Sequence, residues 1–173
     1  IALARRDAAA AKAPFEKALK QRARAARGLA CALEHLGENA RAEELLREVA
    51  KQYPRHTESQ TDLAAFLRRV DKPEEAAAHL TAVIDQVSAP EDVVHPLYDA
   101  LRIATSSEEA CARLRELAVP RQEKWPFLMA VVDKLENAAW GGHATSLLRD
   151  LTTKAPKDVG LLTRLGRLLL PSP

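Results

Sequence analysis

Residues 28–56 decide the fold, and they read GLACALEHLGENARAEELLREVAKQYPRH. In each half of this stretch, apolar residues recur at the spacing i, i+3, i+4, i+7, which places them on one face of an α-helix. These residues are Leu29, Ala32, Leu33 and Leu36 in the first half, and Ala42, Leu45, Leu46 and Val49 in the second. Gly37 suits a helix end because glycine adopts a left-handed turn without steric cost, and Pro54 ends the second helix. The stretch therefore predicts a helical hairpin whose apolar face must be covered by another part of the chain.

The same pattern returns every 34 residues, without insertion or deletion, from Ala23 to the C-terminus. Five apolar columns stay in register: Leu29, Leu63, Leu97, Val131, Leu165; Leu33, Leu67, Leu101, Leu135, Leu169; Ala42, Ala76, Ala110, Ala144; Leu46, Leu80, Leu114, Leu148; and Val49, Val83, Leu117, Leu151. Such a period is typical of stacked helical repeats. We predict one domain over residues 1–173, built from a preceding helix (4–22), four full repeats (23–56, 57–90, 91–124, 125–158) and a terminal helix (159–170).

The period and columns resemble the tetratricopeptide repeat (TPR) family over essentially the whole chain. In the first full repeat, the family's pattern falls on Ala26, Leu29, Ala30, Leu33, Ala42, Leu46, Val49 and Pro54. The resemblance implies an all-α fold, a right-handed α-solenoid of antiparallel helix hairpins whose first helices line a concave groove. Tyr98 and Val132 replace the small residue where the two helices of a repeat cross, so we expect wider packing there. Pro96 and Pro126 should mark a first turn or a local distortion.

Composition excludes several classes of function. The chain has 173 residues with a net charge of +2, so no strong overall field attracts nucleic acid or anionic membranes. Charge is uneven, however, because residues 1–55 and 111–173 are basic and residues 56–110 are acidic. No run of eighteen apolar residues exists, so no membrane span is expected. Cys31 and Cys111 match no metal spacing, and we predict two free thiols.

Motifs for catalysis are not found in the sequence. It has no glycine-rich phosphate loop, no Gly-x-Ser-x-Gly and no Cys-x-x-Cys, and its five histidines are scattered. We therefore predict a protein that is not an enzyme and needs neither a cofactor nor a metal.

The sharpest local cluster is Asp92, His95 and Asp99, which share one helix face in the third repeat. The next repeat places Asp133 and Glu136 close to the equivalent positions. Three interpretations stay open: a divalent metal site, a hydrated acidic wall, or an acidic groove that holds a basic or polar segment of a partner.

Earlier in the chain, the positions that the resemblance places in the groove are partly basic. They include Arg24, Arg27, Glu58, Arg68 and Arg69. A groove graded from basic to acidic could orient an extended peptide, although these side chains could equally be solvated surface. The clamp that some TPR proteins use for the C-terminal carboxylate of chaperones is not expected here, since Asp62 and Asp92 would repel a carboxylate.

The terminal helix carries more leucines than one buried face needs: Leu161, Leu162, Leu165, Leu168, Leu169 and Leu170. We predict that a further repeat, another domain or another copy of the chain covers it. Leu161, Leu168 and Leu170 are the predicted second contact, with self-association as one outcome.

The sequence thus predicts a protein–protein interaction scaffold that binds a polypeptide in the concave groove. Because the chain begins with Ile1, we expect it to be a segment of a longer protein or assembly. A docking or spacer region of a larger enzyme or of a secretion machine is one alternative. RNA binding is another, disfavoured by the 34-residue period and the acidic middle. The compartment stays open, with the cytoplasm slightly favoured.

Overall fold

The computed structural model describes residues 21–121, 123–137 and 141–170, and within these ranges all regular structure is helical. Helix α1 is described over 21–35. The others are α2 (Asn39–Gln52), α3 (Thr57–Arg69), α4 (Pro73–Val83), α5 (Val94–Ala104), α6 (Ser107–Ala118), α7 (Trp125–Asn137), α8 (Gly141–Lys154) and α9 (Val159–Leu169), with 3-10 turns at Pro90–Val93 and Val119–Arg121. None of these helices is long and apolar enough to cross a membrane.

The helices pack in chain order, as the repeat pattern predicts. From α2 onward, each helix contacts the next one along the chain. The odd-numbered helices, which we call first helices, also contact each other, α3 with α5 and α5 with α7. Among the even-numbered second helices, α6 contacts α8. Since the connections are short, successive helices run antiparallel, and the predicted all-α array of helix hairpins is confirmed.

The apolar columns form the core of this array. The alanines of the second helices, Ala42, Ala76, Ala110 and Ala144, are fully buried, and the leucines four residues later are at most 4% exposed. Leu63, Leu97 and Val131 are equally buried on the first helices. Leu29 and Leu36 are exceptions, exposed by 53% and 72%. Their predicted burial is wrong because no helix among the described residues covers that face of α1.

Turn residues behave largely as their chemistry predicts. Gly37 has a φ of 78°, and the Ser106 side chain accepts a hydrogen bond from the Glu109 amide at the start of α6. Pro96 and Pro126 both lie in the first turn of their helices. There they cost no hydrogen bond, because the first amides of a helix have no partner within it.

The structure gives helix bounds that the 34-residue period alone does not fix. The helix predicted at 4–22 lies outside the described residues except for 21 and 22, which run into α1 without a break. Helix α4 ends at Val83, where the chain tightens and the Gln86 amide donates to the Val83 carbonyl. Gly141 and Gly142 begin α8.

Tyr98 occupies the position where a small residue was expected, and it is 7% exposed. The thiol of Cys111 on α6 lies near the Tyr98 side chain, and burial raises the pKa of that thiol. The Lys134 ammonium lies 4.4 Å from the centre of the Tyr98 ring. Cys31 and Cys111 are both free, as predicted.

Asp85 links the second and third repeats from the turn after α4. Its carboxylate accepts hydrogen bonds from Arg121 at 2.8 and 3.0 Å and from Lys124 at 2.6 Å. The hydrogen bonds from Arg121 and Lys124 lower the pKa of Asp85 to about 2.

We expect Asp85→Asn to lower the free energy of unfolding at pH 7 by at most about 1 kcal/mol, because the carboxylate is half exposed and solvent screens the pair. Since the folded pKa is depressed, this stabilisation is present above the ordinary pKa of 3.8 and is lost as the pH falls to about 2. Urea unfolding of both proteins at pH 7 and pH 2.5 measures this, with the exposed Glu48→Gln as control. A difference that is as large at pH 2.5 as at pH 7 would show that the pair is not its source.

Candidate functional site

Ion pairs join successive first helices at the N-terminal end of the array. The Arg69 guanidinium of α3 donates to both carboxylate oxygens of Glu34 on α1, at 2.6 and 2.9 Å. Arg27 of α1 lies 3.5 Å from the Asp62 carboxylate of α3. Despite that cation, burial raises the pKa of Asp62. The first two first helices are therefore held by charge as well as by apolar contact.

The same arrangement recurs further along the row. Arg68 of α3 donates to Asp99 of α5 at 3.2 Å, and His95 Nδ1 lies 3.3 Å from the same carboxylate. Arg164 of α9 donates to Asp133 and, at 2.8 Å, to Glu136, both on α7. The arginine pairs span neighbouring first helices, so much of the charge on this row is matched internally.

These pairs differ from the charge distribution that was predicted for the groove. Arg68, Arg69, Asp99, Asp133 and Glu136 were predicted as partner contacts, and all five contact an opposite charge on a neighbouring first helix. Instead of a plain gradient from basic to acidic, the row presents a series of matched pairs. A charged ligand would have to compete for them.

The remaining predicted residues lie at the surface. Arg24 and Arg27 are exposed on α1, and the Glu58 carboxylate is exposed 3.7 Å from His56 Nε2. Asp92 is exposed in the 3-10 turn before α5. His95 contacts Asp99 but the cluster does not converge with Asp92, and no group of three such side chains within the described ranges is placed to hold a metal ion.

A cleft of about 250 Å³ opens between α5 and α7, and we call it the α5–α7 cleft. Its lining comprises Glu91, Val94, His95, Ala130, Asp133, Lys134 and Asn137. The structure thus brings together two predicted residues, His95 and Asp133, that are 38 positions apart in the sequence. Carboxylate, amide, imidazole and ammonium groups line the cleft, together with Val94 and Ala130, which we call its apolar floor.

Glu91 and Asn137 were missed as site residues. A signal for both was present in the helical spacing, since Glu91 precedes His95 by four residues and Asn137 follows Asp133 by four. Combining that spacing with contact between successive first helices would have brought these four residues to one cleft.

A second cleft, of about 340 Å³, lies between α2, α3 and α4. Arg47, Lys51, Gln60 and His79 are among its lining residues. Burial lowers the pKa of His79, whose Nε2 is buried and has no hydrogen-bond partner. In a neutral imidazole each ring nitrogen is either a donor or an acceptor, so this Nε2 leaves one hydrogen-bonding position unused.

Comparison with known proteins adds little to this description. No family model matches the chain, and no curated protein sequence matches it. Among solved structures, it is similar to the nearly identical TPR-like repeats of a Podosopora anserina protein described as a kinesin light chain. The identity is 19% and the TM-score 0.45, over 85% of each chain. The helical-repeat fold therefore rests on the 34-residue register and on the packing of the helices themselves.

Proposed function

We propose that this chain is a non-catalytic scaffold that binds an extended polypeptide segment along its first helices. The α5–α7 cleft is the observation that carries the proposal. It lies on the row of first helices and combines exposed hydrogen-bonding groups with an apolar floor. Binding clefts for polypeptides and small ligands commonly have this composition.

The cleft favours a partner with a basic side chain. Glu91 and Asp133 provide acceptors, and Asp133 keeps 58% of its side chain exposed despite its pair with Arg164. Asn137 can both donate to and accept from a peptide backbone. The Lys134 ammonium is drawn over the ring of Tyr98. A lysine or arginine of the partner can therefore enter between the two carboxylates.

The same contacts argue against nucleic acid as the partner. Single-stranded nucleic acid is held by cations that track its phosphates. On the first helices, Arg68, Arg69 and Arg164 each already contact a carboxylate of a neighbouring helix. Binding phosphate would break these pairs and leave the acidic side chains beside it.

Selection of random 12-residue peptides displayed on phage tests the proposal. We expect enrichment of peptides with lysine or arginine, and we expect Asp133→Lys to weaken their binding by about tenfold, since like charges then meet in the cleft. Arg164 retains Glu136 in this variant, so the fold should persist. Circular dichroism melting checks that.

Glu48→Lys is the matched control, because Glu48 is an exposed residue of α2 outside the cleft. Affinity that is equal in the wild type and both variants would contradict binding at the cleft. Tighter, strongly salt-dependent binding to a random single-stranded oligonucleotide would favour nucleic acid instead.

A further inference from the structure

Helix α9 has two apolar faces, and only one of them is covered. Leu161 is 1% exposed, and Leu165 and Leu168 pack against the core. Leu162 and Leu169 lie on another face and are exposed by 45% and 52%. The predicted outside contact through Leu161 is therefore wrong, because that side chain is a core residue, and Leu168 is partly buried. Only Leu170 of that predicted set, 71% exposed, is freely accessible.

The repeat register identifies what the open face is. The positions equivalent to Leu162 in earlier repeats are Ala26, Gln60, Val94 and Leu128, all at most 8% exposed. The positions equivalent to Leu169 are Leu33, Leu67, Leu101 and Leu135, which are buried or packed against the core. Each of the first helices α3, α5 and α7 packs against the second helix that follows it. The open face of α9 therefore corresponds to the surface on which the other first helices bind the second helix of their repeat; we call this surface the seat.

Gly166 lies between Leu162 and Leu169 at the position where the helices of a repeat cross. Its equivalents in the first two repeats are Ala30 and Ala64, which are at most 2% exposed. A Cβ added at Gly166 would meet no atom within 4 Å. The surface is therefore open at the point where a second helix would approach most closely.

Arg149 on α8 indicates independently that a further helix can bind at this end of the array. It is equivalent in the register to Arg47 and Arg115. Arg47 pairs with Glu75 and Arg115 with Asp150, in each case on the next second helix. Arg149 is exposed and, among the residues that the structure describes, has no carboxylate partner. The second repeat has Thr81 at this position, but the two arginines show that Arg149 could pair in the same way with an acidic residue on a helix that follows α8 in the stack.

We propose that the end of the array formed by α8 and α9 binds an acidic amphipathic helix of a partner protein. The partner helix packs its apolar stripe on Leu162, Gly166 and Leu169, and one of its carboxylates pairs with Arg149. This contact is separate from the α5–α7 cleft and does not depend on it.

Charge disfavours a second copy of the chain as the occupant. At the other end of the described residues, the exposed Leu29 lies on α1, which also carries the exposed Arg24 and Arg27, and the exposed Leu36 follows α1. The α9 end carries Arg149 and the exposed Arg167. Bringing the two ends together would juxtapose like charges, which opposes association.

A peptide with the chain's own second-helix chemistry is a suitable probe. Residues 72–87 (KPEEAAAHLTAVIDQV) contain Glu75, the partner of Arg47, and the buried stripe Ala76, Leu80 and Ile84. The acetylated and amidated peptide is labelled with a fluorophore and titrated with the whole chain. We expect saturable binding that Leu169→Glu weakens at least about tenfold, because it places a carboxylate in the apolar seat.

Charge exchange makes the test specific. Arg149→Glu should weaken binding several-fold, and a peptide with Glu75→Arg should restore it to that variant alone. Leu29→Glu, at a leucine of α1 with nearly the same exposure as Leu169 (53% against 52%), should leave binding unchanged. No binding, or binding that ignores both Leu169→Glu and Arg149→Glu, would overturn the proposal. So would a concentration-dependent dimer in sedimentation velocity that Leu169→Glu abolishes, since the occupant would then be a second copy.

Discussion

Replacing Leu80 by alanine should lower the free energy of unfolding by about 2–5 kcal/mol, the range for a buried leucine whose cavity relaxes only partly. Leu80 is fully buried in α4, in the leucine column of the second helices. Helix α4 contacts both α3 and α5. The substitution therefore weakens the contact between the second and third repeats as well as the packing inside one hairpin.

Because Leu80 lies in the middle of the array, Leu80→Ala should also change how cooperatively the array unfolds. In a stack of repeats, each unit is stabilised mainly by its neighbours. A weakened central contact should let the two halves unfold separately, so amides of α3 and α4 should lose more protection from hydrogen exchange than those of α7 and α8. Urea unfolding and exchange measurements together test this.

Leu36→Ala is the matched control for Leu80→Ala. The side chain of Leu36 is 72% exposed, so its truncation removes little buried area and should cost less than about 0.5 kcal/mol. A loss below about 1 kcal/mol for Leu80→Ala, or equal losses for both variants, would contradict the central role of this column.

Gln60→Leu should cost about 1–3 kcal/mol, even though leucine is apolar and Gln60 is 1% exposed. The reason lies at the end of α2. The Ala50 carbonyl would normally accept from the amide four residues later, but that residue is Pro54, which has no amide hydrogen. The Gln60 side chain replaces it, since Nε2 donates to the Ala50 carbonyl at 2.9 Å and to the Tyr53 carbonyl at 3.1 Å.

Thermal or urea unfolding measures the loss at Gln60. Gln52→Leu serves as control, because Gln52 is exposed at the end of α2 and should change stability by less than about 0.5 kcal/mol. If Gln60→Leu were as stable as the wild type, apolar burial would outweigh the loss of both hydrogen bonds. The two carbonyls would then not need this donor.

The periodicity of the sequence was sufficient to predict the helices and most of the core. A 34-residue step aligns the alanine and leucine columns of the second helices, and these residues are buried wherever the array continues on both sides. Gln60 is a residue whose role the alignment of repeats does not predict. It falls in an otherwise apolar column. Its role depends on a proline six residues earlier and on a carbonyl of another helix, and a comparison of equivalent positions shows neither.

The candidate site was less predictable for two physical reasons. The side chains of Arg68 and Arg69 were placed on the correct helices, but their partners, Asp99 and Glu34, depend on rotamers and helix offsets that the period does not encode. On α9, counting leucines predicted an extra contact but assigned it partly to Leu161 and Leu168, which lie on the covered face. The repeat register could have identified the covered face, because Leu161 is equivalent to Phe127, which is buried in the preceding repeat.

If a partner binds along the first helices as proposed, the ion pairs between these helices make its recognition partly an ion-exchange reaction. A charged ligand that contacts Asp99 competes with Arg68, and one that contacts the exposed side of Asp133 competes in part with Arg164, so each contact gains less than a free carboxylate would give. Exchange of this kind gives little net affinity per contact and short residence times, because most differences in affinity appear in the dissociation rate. We therefore expect a partner bound in this way to dissociate quickly.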